Sequence, residues 1–287
     1  MLTVLESLRL STEYLNNKGI ESPRLNAELL LADILGLKRL ELYLQFERPL
    51  TEDEKTKYRE YLKRRASHEP LQYVLGYSEF MGKRFKVTPD VLIPRPETEL
   101  LVEKISNENA LFSGNILDIG TGSGNIAIML AGYFPEAKIV SVDISEKALE
   151  IAKLNSKEIL GNENRVEFVL ADLFEVNFLK DYESFDIIVS NPPYISQKEM
   201  KNLQTEVKDF EPRIALTDNA DGLSFYEEIA KKSDYLLQNK GTLYLEIPQG
   251  VAEKVKTILE EKEFAEIEIT KDYSDIERII KAKKNKD

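Results

Sequence analysis

Over the first seventy positions apolar residues recur at helical spacing, whereas beyond position 113 they gather into short runs separated by amphipathic stretches. Val4, Leu5, Leu8 and Leu15 mark a first helix, with Lys18 in its last turn and Gly19 as its stop signal. Ser22-Pro23 restarts the chain, Ser22 as a cap and Pro23 in the first helical position, and Leu25, Leu29, Leu30, Ile34 and Leu35 then form a broad apolar surface before Gly36. Thr51 and Glu54 have capping-box spacing and open a polar helix that carries Tyr58, Tyr61 and Leu62 inward. A small helical bundle is the result. In 71–87 the pattern changes to aromatic and β-branched runs broken by Gly76 and Gly82, which predicts a hairpin joining two domains.

The runs at 115–119, 139–143, 166–171, 185–190 and 242–247 read as strands, and helices follow Asn125, Ser145, Gly222 and Gly250. Such alternation predicts an α/β fold with a doubly wound, mostly parallel sheet. Stretches 265–270 and 276–282 look like two further strands, an antiparallel pair at one edge that brings the sheet to seven. The expected organisation is a helical domain over 1–70, a β-hairpin linker over 71–92 and a catalytic domain over 93–287. The lysines Lys281, Lys283, Lys284 and Lys286 are expected to form a frayed, solvated tail.

Composition narrows the chemistry. The 287 residues suffice for about two domains, and they include no Cys, no Trp and a single His. Disulfides, Cys-rich zinc sites, thiolate nucleophiles and any site needing two histidines are thereby excluded. His68 sits at the end of a polar helix, where interaction with the helix C-terminus accounts for it. The net charge of -12 argues against a broad grip on nucleic acid. All of it falls beyond residue 70, because positions 1–70 hold 12 basic and 12 acidic side chains. No secretory pattern opens the chain and no apolar run approaches membrane-spanning length, so a cytoplasmic protein without a membrane partner is expected.

Strand 115–119 ends in Gly120-Thr121-Gly122-Ser123-Gly124, a glycine loop leading into a helix, where a ligand can approach the backbone closely. The third glycine falls one residue too early for a dinucleotide fingerprint, which disfavours a nicotinamide cofactor. Asp143 ends the second strand 19 residues later, placed to accept from ribose hydroxyls or else to cap the next helix. Asp172 ends the third strand, where it can accept from an adenine amino group with Leu173 against the ring, or simply form a turn. The most specific element is Asn191-Pro192-Pro193-Tyr194 directly after the fourth strand. Two prolines force a rigid extended exit from the sheet. A planar NH2 group needs two acceptors, which the Asn191 side-chain oxygen and the Pro192 carbonyl can supply, with the Tyr194 ring as a flat wall.

Asp118 to Gly124 together with Asn191 to Tyr194 resembles the class I methyltransferases that use S-adenosylmethionine on planar nitrogen. The runs Pro70 to Gly76, Ile93 to Glu99, Glu211 to Leu216 and Asp221 to Leu223 narrow this to a resemblance to the peptide chain release factor glutamine methyltransferases, over nearly the full chain. The resemblance implies methylation of the side-chain amide of the glutamine in a release factor's Gly-Gly-Gln motif, with S-adenosylhomocysteine as product. By that analogy Gly120, Thr121, Gly122, Ser123 and Gly124 line the methionine portion of the cofactor, Asp143 meets its ribose, and Asp172 and Leu173 its adenine. Asn191, Pro192, Pro193 and Tyr194 hold the glutamine, Asn191 also contacting the cofactor, and Arg95-Pro96-Glu97-Thr98 folds near the cofactor or serves as a proline-fixed helix entry. Residues 1–70 are expected to dock the release factor or to stabilise the catalytic domain. No metal is implied, and a monomer that does not bind nucleic acid directly is expected. Pro248 and Asp275 stand where the family usually has Gly. The competing readings are glutamine methylation of a ribosomal protein and methylation of an adenine amino group in nucleic acid.

Overall fold

The computed structural model describes residues 2–161 and 165–284, and these divide into two units: residues 2–77 with Gln204–Phe210, and Ser78–Leu203 with residues 211–284.

The first unit is helical. Helices α1 (Val4–Asn17), α2 (Pro23–Leu35), α3 (Glu52–Ala66) and α4 (Leu71–Leu75) bury Val4, Leu8, Leu15, Leu30, Leu31 and Tyr58 in one core. Both Thr3 and Thr51 make full capping boxes. Ser22 does not cap α2: its backbone is left-handed (φ 48°) and its side chain makes no capping bond. The Asn26 amide instead donates to the carbonyls of Glu21 and Ser22, which holds the turn from inside. Leu25 is consequently exposed, and α2 turns Ala27, Leu30 and Leu31 inward.

Residues 71–75, read from sequence as part of the hairpin, are the short helix α4 instead. Pro70 precedes its first turn and Gly76 closes it at φ 83°, so Tyr73 and Val74 are buried at helical spacing. Pairing is confined to β1 (Tyr77–Phe80) and β2 (Lys83–Lys86), where Phe80 and Phe85 meet edge to face at 5.8 Å.

The second unit is built on a seven-stranded sheet. In chain order its elements are α5 (Pro96–Glu108), β3 (Asn115–Ile119), α6 (Asn125–Tyr133), β4 (Lys138–Asp143), α7 (Glu146–Leu160), β5 (Val166–Leu170) and β6 (Phe185–Ser190). After the short α8 (Thr205–Phe210), which belongs to the first unit, follow α9 (Ser224–Leu236), β7 (Leu237–Glu246), α10 (Ala252–Glu261), β8 (Phe264–Lys271) and β9 (Glu277–Lys284). The strand order is β5-β4-β3-β6-β7-β9-β8, parallel except for β9, which runs antiparallel between β7 and β8. Successive residues of a strand face opposite cores, as a doubly covered sheet requires. Leu117, Val140 and Ile188 join Ile229 and Val255 on one face, whereas Ile116, Ile139 and Ile187 join Leu101 and Ala127 on the other.

The lysine tail expected from the sequence is a strand. Lys281 and Lys283 pair in register with Tyr244 and Thr242 of β7, and their ammonium groups reach Glu108 at 2.9 Å and Glu266 at 2.5 Å. Lys284 Nζ donates to the Leu237 carbonyl at 2.8 Å. Lys281 and Lys283 thus meet acids and Lys284 a backbone carbonyl, so these lysines are held by partners. Lys286 lies outside the described residues. Asp275 adopts φ 62° in the turn between β8 and β9, a conformation that Asp tolerates better than most residues and that accounts for its standing where Gly is common.

Candidate active site

Strands β3, β4 and β6 end side by side at the point where the chain reverses its order of laying down strands, the place where open α/β sheets form their clefts. The cleft there holds about 820 Å³ of empty space including its mouth. Gly120, Gly122, Asp143, Asp172, Leu173, Asn191, Pro192 and Pro193 line it, eight of the residues singled out by sequence.

The glycine loop forms a smooth floor. Gly122 has φ 53°, and a Cβ built on it meets nothing within 4 Å, so the backbone itself faces open space. Four of its five amides are already engaged: Gly120 and Thr121 donate to the Val142 carbonyl, each at 2.9 Å, Gly122 to Asp143 Oδ2 at 2.9 Å, and Gly124 to the Thr121 carbonyl at 2.8 Å. A phosphate cradle needs such donors free. The loop therefore suits a ligand without phosphates. Thr121 and Ser123 are buried; Thr121 bonds Ser141 Oγ, and Ser123 Oγ donates to Asn125 Oδ1 at 3.2 Å. Gly124 lies behind the loop, packed toward Ile128 and Ala152.

Asp143 fastens the loop to the sheet, because its Oδ1 accepts from the Ser145 amide at 2.9 Å while Oδ2 holds Gly122. Ser145 caps α7 itself, so that task does not fall to Asp143, whose carboxylate lines the cleft and keeps acceptor capacity for a hydroxyl there. Burial pushes the Asp143 carboxyl above its ordinary range. Asp172 forms a turn through Oδ1, which accepts from the Phe174 amide at 2.9 Å, and its edge still faces the cleft. Sequence reasoning missed the apolar wall of Ile144, Phe174, Ile214 and Phe225. Exposed Ile144 and Phe174 closely follow acidic strand ends, a signal that was available.

At the other end Asn191 leaves β6 with its Nδ2 donating to Thr98 Oγ1 at 3.1 Å, and Thr98 in turn donates to Glu246 Oε2 at 2.6 Å. Tyr194 does not line the cleft; it packs against the core, and burial followed by the nearby Glu246 charge raises its phenol. Arg95 pairs with Glu211, whose second oxygen accepts from the Ile93 amide at 3.2 Å, so the Arg95 to Thr98 entry to α5 is anchored beside this network.

Two buried acids dominate the electrostatics. Desolvation pushes Glu246 and Asp118 up to about 7 each, from ordinary values of 4.5 and 3.8. Asp118 Oδ2 accepts from Ser141 Oγ at 2.7 Å, whereas its buried Oδ1 has no partner among the described residues. Below about pH 4 both acids are neutral whether the chain is folded or not. Between about 4 and 7 only the unfolded chain ionises them, so stability is lost as pH rises through this window. We expect the urea midpoint to fall between pH 5 and pH 8, each acid contributing on the order of 3 kcal/mol, and Glu246→Gln to flatten the fall. A midpoint independent of pH there would contradict this.

The strand order with its antiparallel β9, and a phosphate-free glycine cleft at the switch point, define a class I methyltransferase. The solved structure of a methyltransferase from Pyrococcus furiosus has the same fold, with a TM-score of 0.53 at 16% identity over 72% of this chain and 91% of that one. Residues 6–76 match the PrmC N-terminal domain and residues 96–208 the methyltransferase small domain. A release factor glutamine methyltransferase of Fusobacterium nucleatum is 42% identical over 98% of this chain and 78% of its own length. Another, from Chlorobaculum tepidum, is 40% identical over 96% and 95%. The chain belongs to the release factor glutamine methyltransferase family.

Proposed function

We propose that this protein transfers a methyl group from S-adenosylmethionine to the side-chain amide nitrogen of the glutamine in the Gly-Gly-Gln motif of a peptide chain release factor. The observation that carries the reading is the Asn191 amide at the cleft, its NH2 turned inward to Thr98 and its other terminus, Oδ1, left for an incoming NH2.

The cofactor fits the residues present. A floor with four of its five loop amides already bonded suits a nucleoside that bears no phosphate, Asp143 would meet the ribose hydroxyls, and Leu173 and Phe174 would supply an apolar wall near Asp172 for adenine. When bound, S-adenosylmethionine supplies an electrophilic sulfonium methyl.

The chain's own task is orientation. An amide nitrogen is a poor nucleophile because its lone pair is delocalised into the carbonyl. Asn191 Oδ1 and the Pro192 carbonyl accept its two hydrogens, which aims the lone pair into the cleft, and such positioning can remove up to about 7 to 11 kcal/mol of barrier. Tyr194, packed against the core with its phenol held above the ordinary range, stays protonated and does not serve as a base. The proton leaves after transfer, when the nitrogen has become strongly acidic. Incubation with labelled cofactor and a release factor, followed by mass spectrometry of the Gly-Gly-Gln peptide, tests the reading. Methyl on that glutamine is expected; methyl on a ribosomal protein or on adenine instead would replace it.

The helical unit we assign to docking the intact release factor, as a cytoplasmic monomer working on protein and not on bare nucleic acid. Among the described residues no helix is long and apolar enough to cross a membrane. Leu40 and Leu44 stand 77% and 86% exposed on the 3-10 turn Arg39–Leu44, apolar area that only a partner would cover. Replacing both with Ser is expected to raise KM for the intact factor by about tenfold and to leave KM for a short Gly-Gly-Gln peptide unchanged. An equal rise for both substrates would return the unit to a stabilising role.

A further inference from the structure

An asparagine side chain has nearly the same shape after a half-turn of its amide, yet the turn exchanges an acceptor for a donor. At the cleft this exchange is decisive. With Oδ1 outward Asn191 accepts from the substrate NH2; with Nδ2 outward two donors face each other. Something must fix the choice, and packing alone does not.

The hydrogen bonds behind Asn191 run in one direction. Glu246 ends β7 and Thr98 lies in the first turn of α5, each only 2% exposed. A carboxylate can only accept. The single Thr98 hydroxyl proton is therefore given to Glu246 Oε2 at 2.6 Å, and toward Asn191 the hydroxyl has only lone pairs to offer. At 3.1 Å it accepts from Nδ2, which leaves Oδ1 to face outward. We propose that Thr98 and Glu246 are positioning residues for methyl transfer, a one-way relay in which the buried carboxylate dictates which end of the Asn191 amide meets the substrate. The inference rests on the reading above that Asn191 receives the substrate amide.

The groups around Glu246 leave its charge finely balanced. Arg278 in β9 and Arg95 at the entry to α5 favour the ionised form, Glu97 opposes it, and burial opposes it most. Tyr194 after β6 feels its charge, and the Tyr226 phenol from α9 donates to its backbone carbonyl at 2.9 Å, not to its carboxyl. Its carboxyl consequently titrates near 7. Once protonated on Oε2 it becomes the donor, the Thr98 hydroxyl turns its own proton to Asn191, and the amide is free to reverse. Activity thus acquires an acid limb that belongs to a residue outside the cleft.

The test is kcat at saturating substrates from pH 5.5 to 8.5, with cofactor dissociation constants measured in parallel, for the wild type, Thr98→Val, Thr98→Ser and Glu246→Gln. Thr98→Val keeps the shape but leaves the Asn191 NH2 unpartnered, and we expect kcat to fall about 10- to 100-fold with cofactor affinity within about threefold. Thr98→Ser keeps the hydroxyl and is expected to retain kcat within about threefold. In the wild type kcat should fall below an apparent pKa near 7. Glu246→Gln can no longer change charge, and its profile should lose that limb. The relay is overturned by a Thr98→Val enzyme with wild-type kcat, by equal losses in Thr98→Val and Thr98→Ser, by a flat wild-type profile, or by an acid limb that persists in Glu246→Gln. Should Thr98→Val fail to fold, the two pH profiles still decide. Full turnover in Asn191→Ala would instead remove the reading beneath the relay, whereas loss there with full activity in Thr98→Val removes the relay alone.

Discussion

Asn191→Ala is expected to lower kcat by about 10³-fold or more while the dissociation constant for S-adenosylmethionine stays within a few-fold. The separation follows from the geometry of the cleft. The cofactor's ribose and adenine ends are assigned to Asp143, Asp172 and Leu173 on β4 and the loop beyond β5, whereas Asn191, which follows β6, is assigned to the substrate. Deleting its amide removes one of two acceptors for the substrate NH2, and with it the alignment that a delocalised nitrogen needs. The Thr98 hydroxyl loses only a donor partner and keeps its bond to Glu246, so the fold has little reason to suffer. Stopped assays with labelled cofactor and isothermal titration separate the two quantities. A variant with near wild-type kcat would end the assignment of Asn191, and one whose cofactor affinity collapses along with kcat would place Asn191 at the cofactor.

How much of this was legible in the sequence follows from the range of the interactions involved. Strand β3 was read with its observed bounds, Asn115–Ile119, because a continuous apolar run before a glycine loop carries its own evidence. The capping box at Thr51 and Glu54 is likewise a contact between residues three apart. Ser22 failed as a cap because its backbone is left-handed, whereas a capping residue needs the extended region to bring its oxygen to the first-turn amides, a conformation that composition does not display. The short helix at 71–75 was hidden by β-branched and aromatic residues whose burial is set by the rest of the helical unit.

The site divides in the same way. Gly120 to Gly124, Asp143 and Asn191 to Tyr194 were visible because each motif sits at the carboxyl end of a strand, where chemistry concentrates in open sheets. Tyr194, read as a wall of the cleft, lies against the core instead of in its lining. Glu246 escaped notice altogether. It is 148 positions from Thr98, ends a strand that reads as ordinary core, and acquires its meaning only when β7 is laid beside β6. A buried acid at the end of an apolar strand is the one sequence signal that pointed toward it, since such a group is costly unless something uses its charge.

Gly222→Ala is the second substitution expected to have a large effect, and it acts through the backbone alone. Gly222 has φ 86°, and a Cβ placed on it would lie 2.3 Å from the Tyr194 carbonyl oxygen. Neither side can yield freely. The Asp218 carboxylate holds the Gly222 amide at 2.9 Å and the Ser224 hydroxyl at 2.8 Å, while Ile195 and Gln197 are bonded to the Leu216 and Ala220 carbonyls at 2.9 and 3.0 Å. Positive φ by itself costs a non-glycine residue about 1–2 kcal/mol. Gly36 supplies the control, with φ 65° and nothing within 4 Å of an added Cβ, so Gly36→Ala should lose only that amount. Gly222→Ala must in addition push one hydrogen-bonded loop away from another, and we expect a loss of about 3 kcal/mol or more. The displaced loop carries Asn191 to Tyr194, so the folded fraction should also show kcat lowered by about tenfold or more, with cofactor affinity little changed. Urea denaturation of both variants, followed by kcat under conditions where each is folded, measures the two effects separately. Equal destabilisation of Gly36→Ala and Gly222→Ala would mean that backbone conformation, and not the approach of the Tyr194 carbonyl, is what glycine provides at position 222.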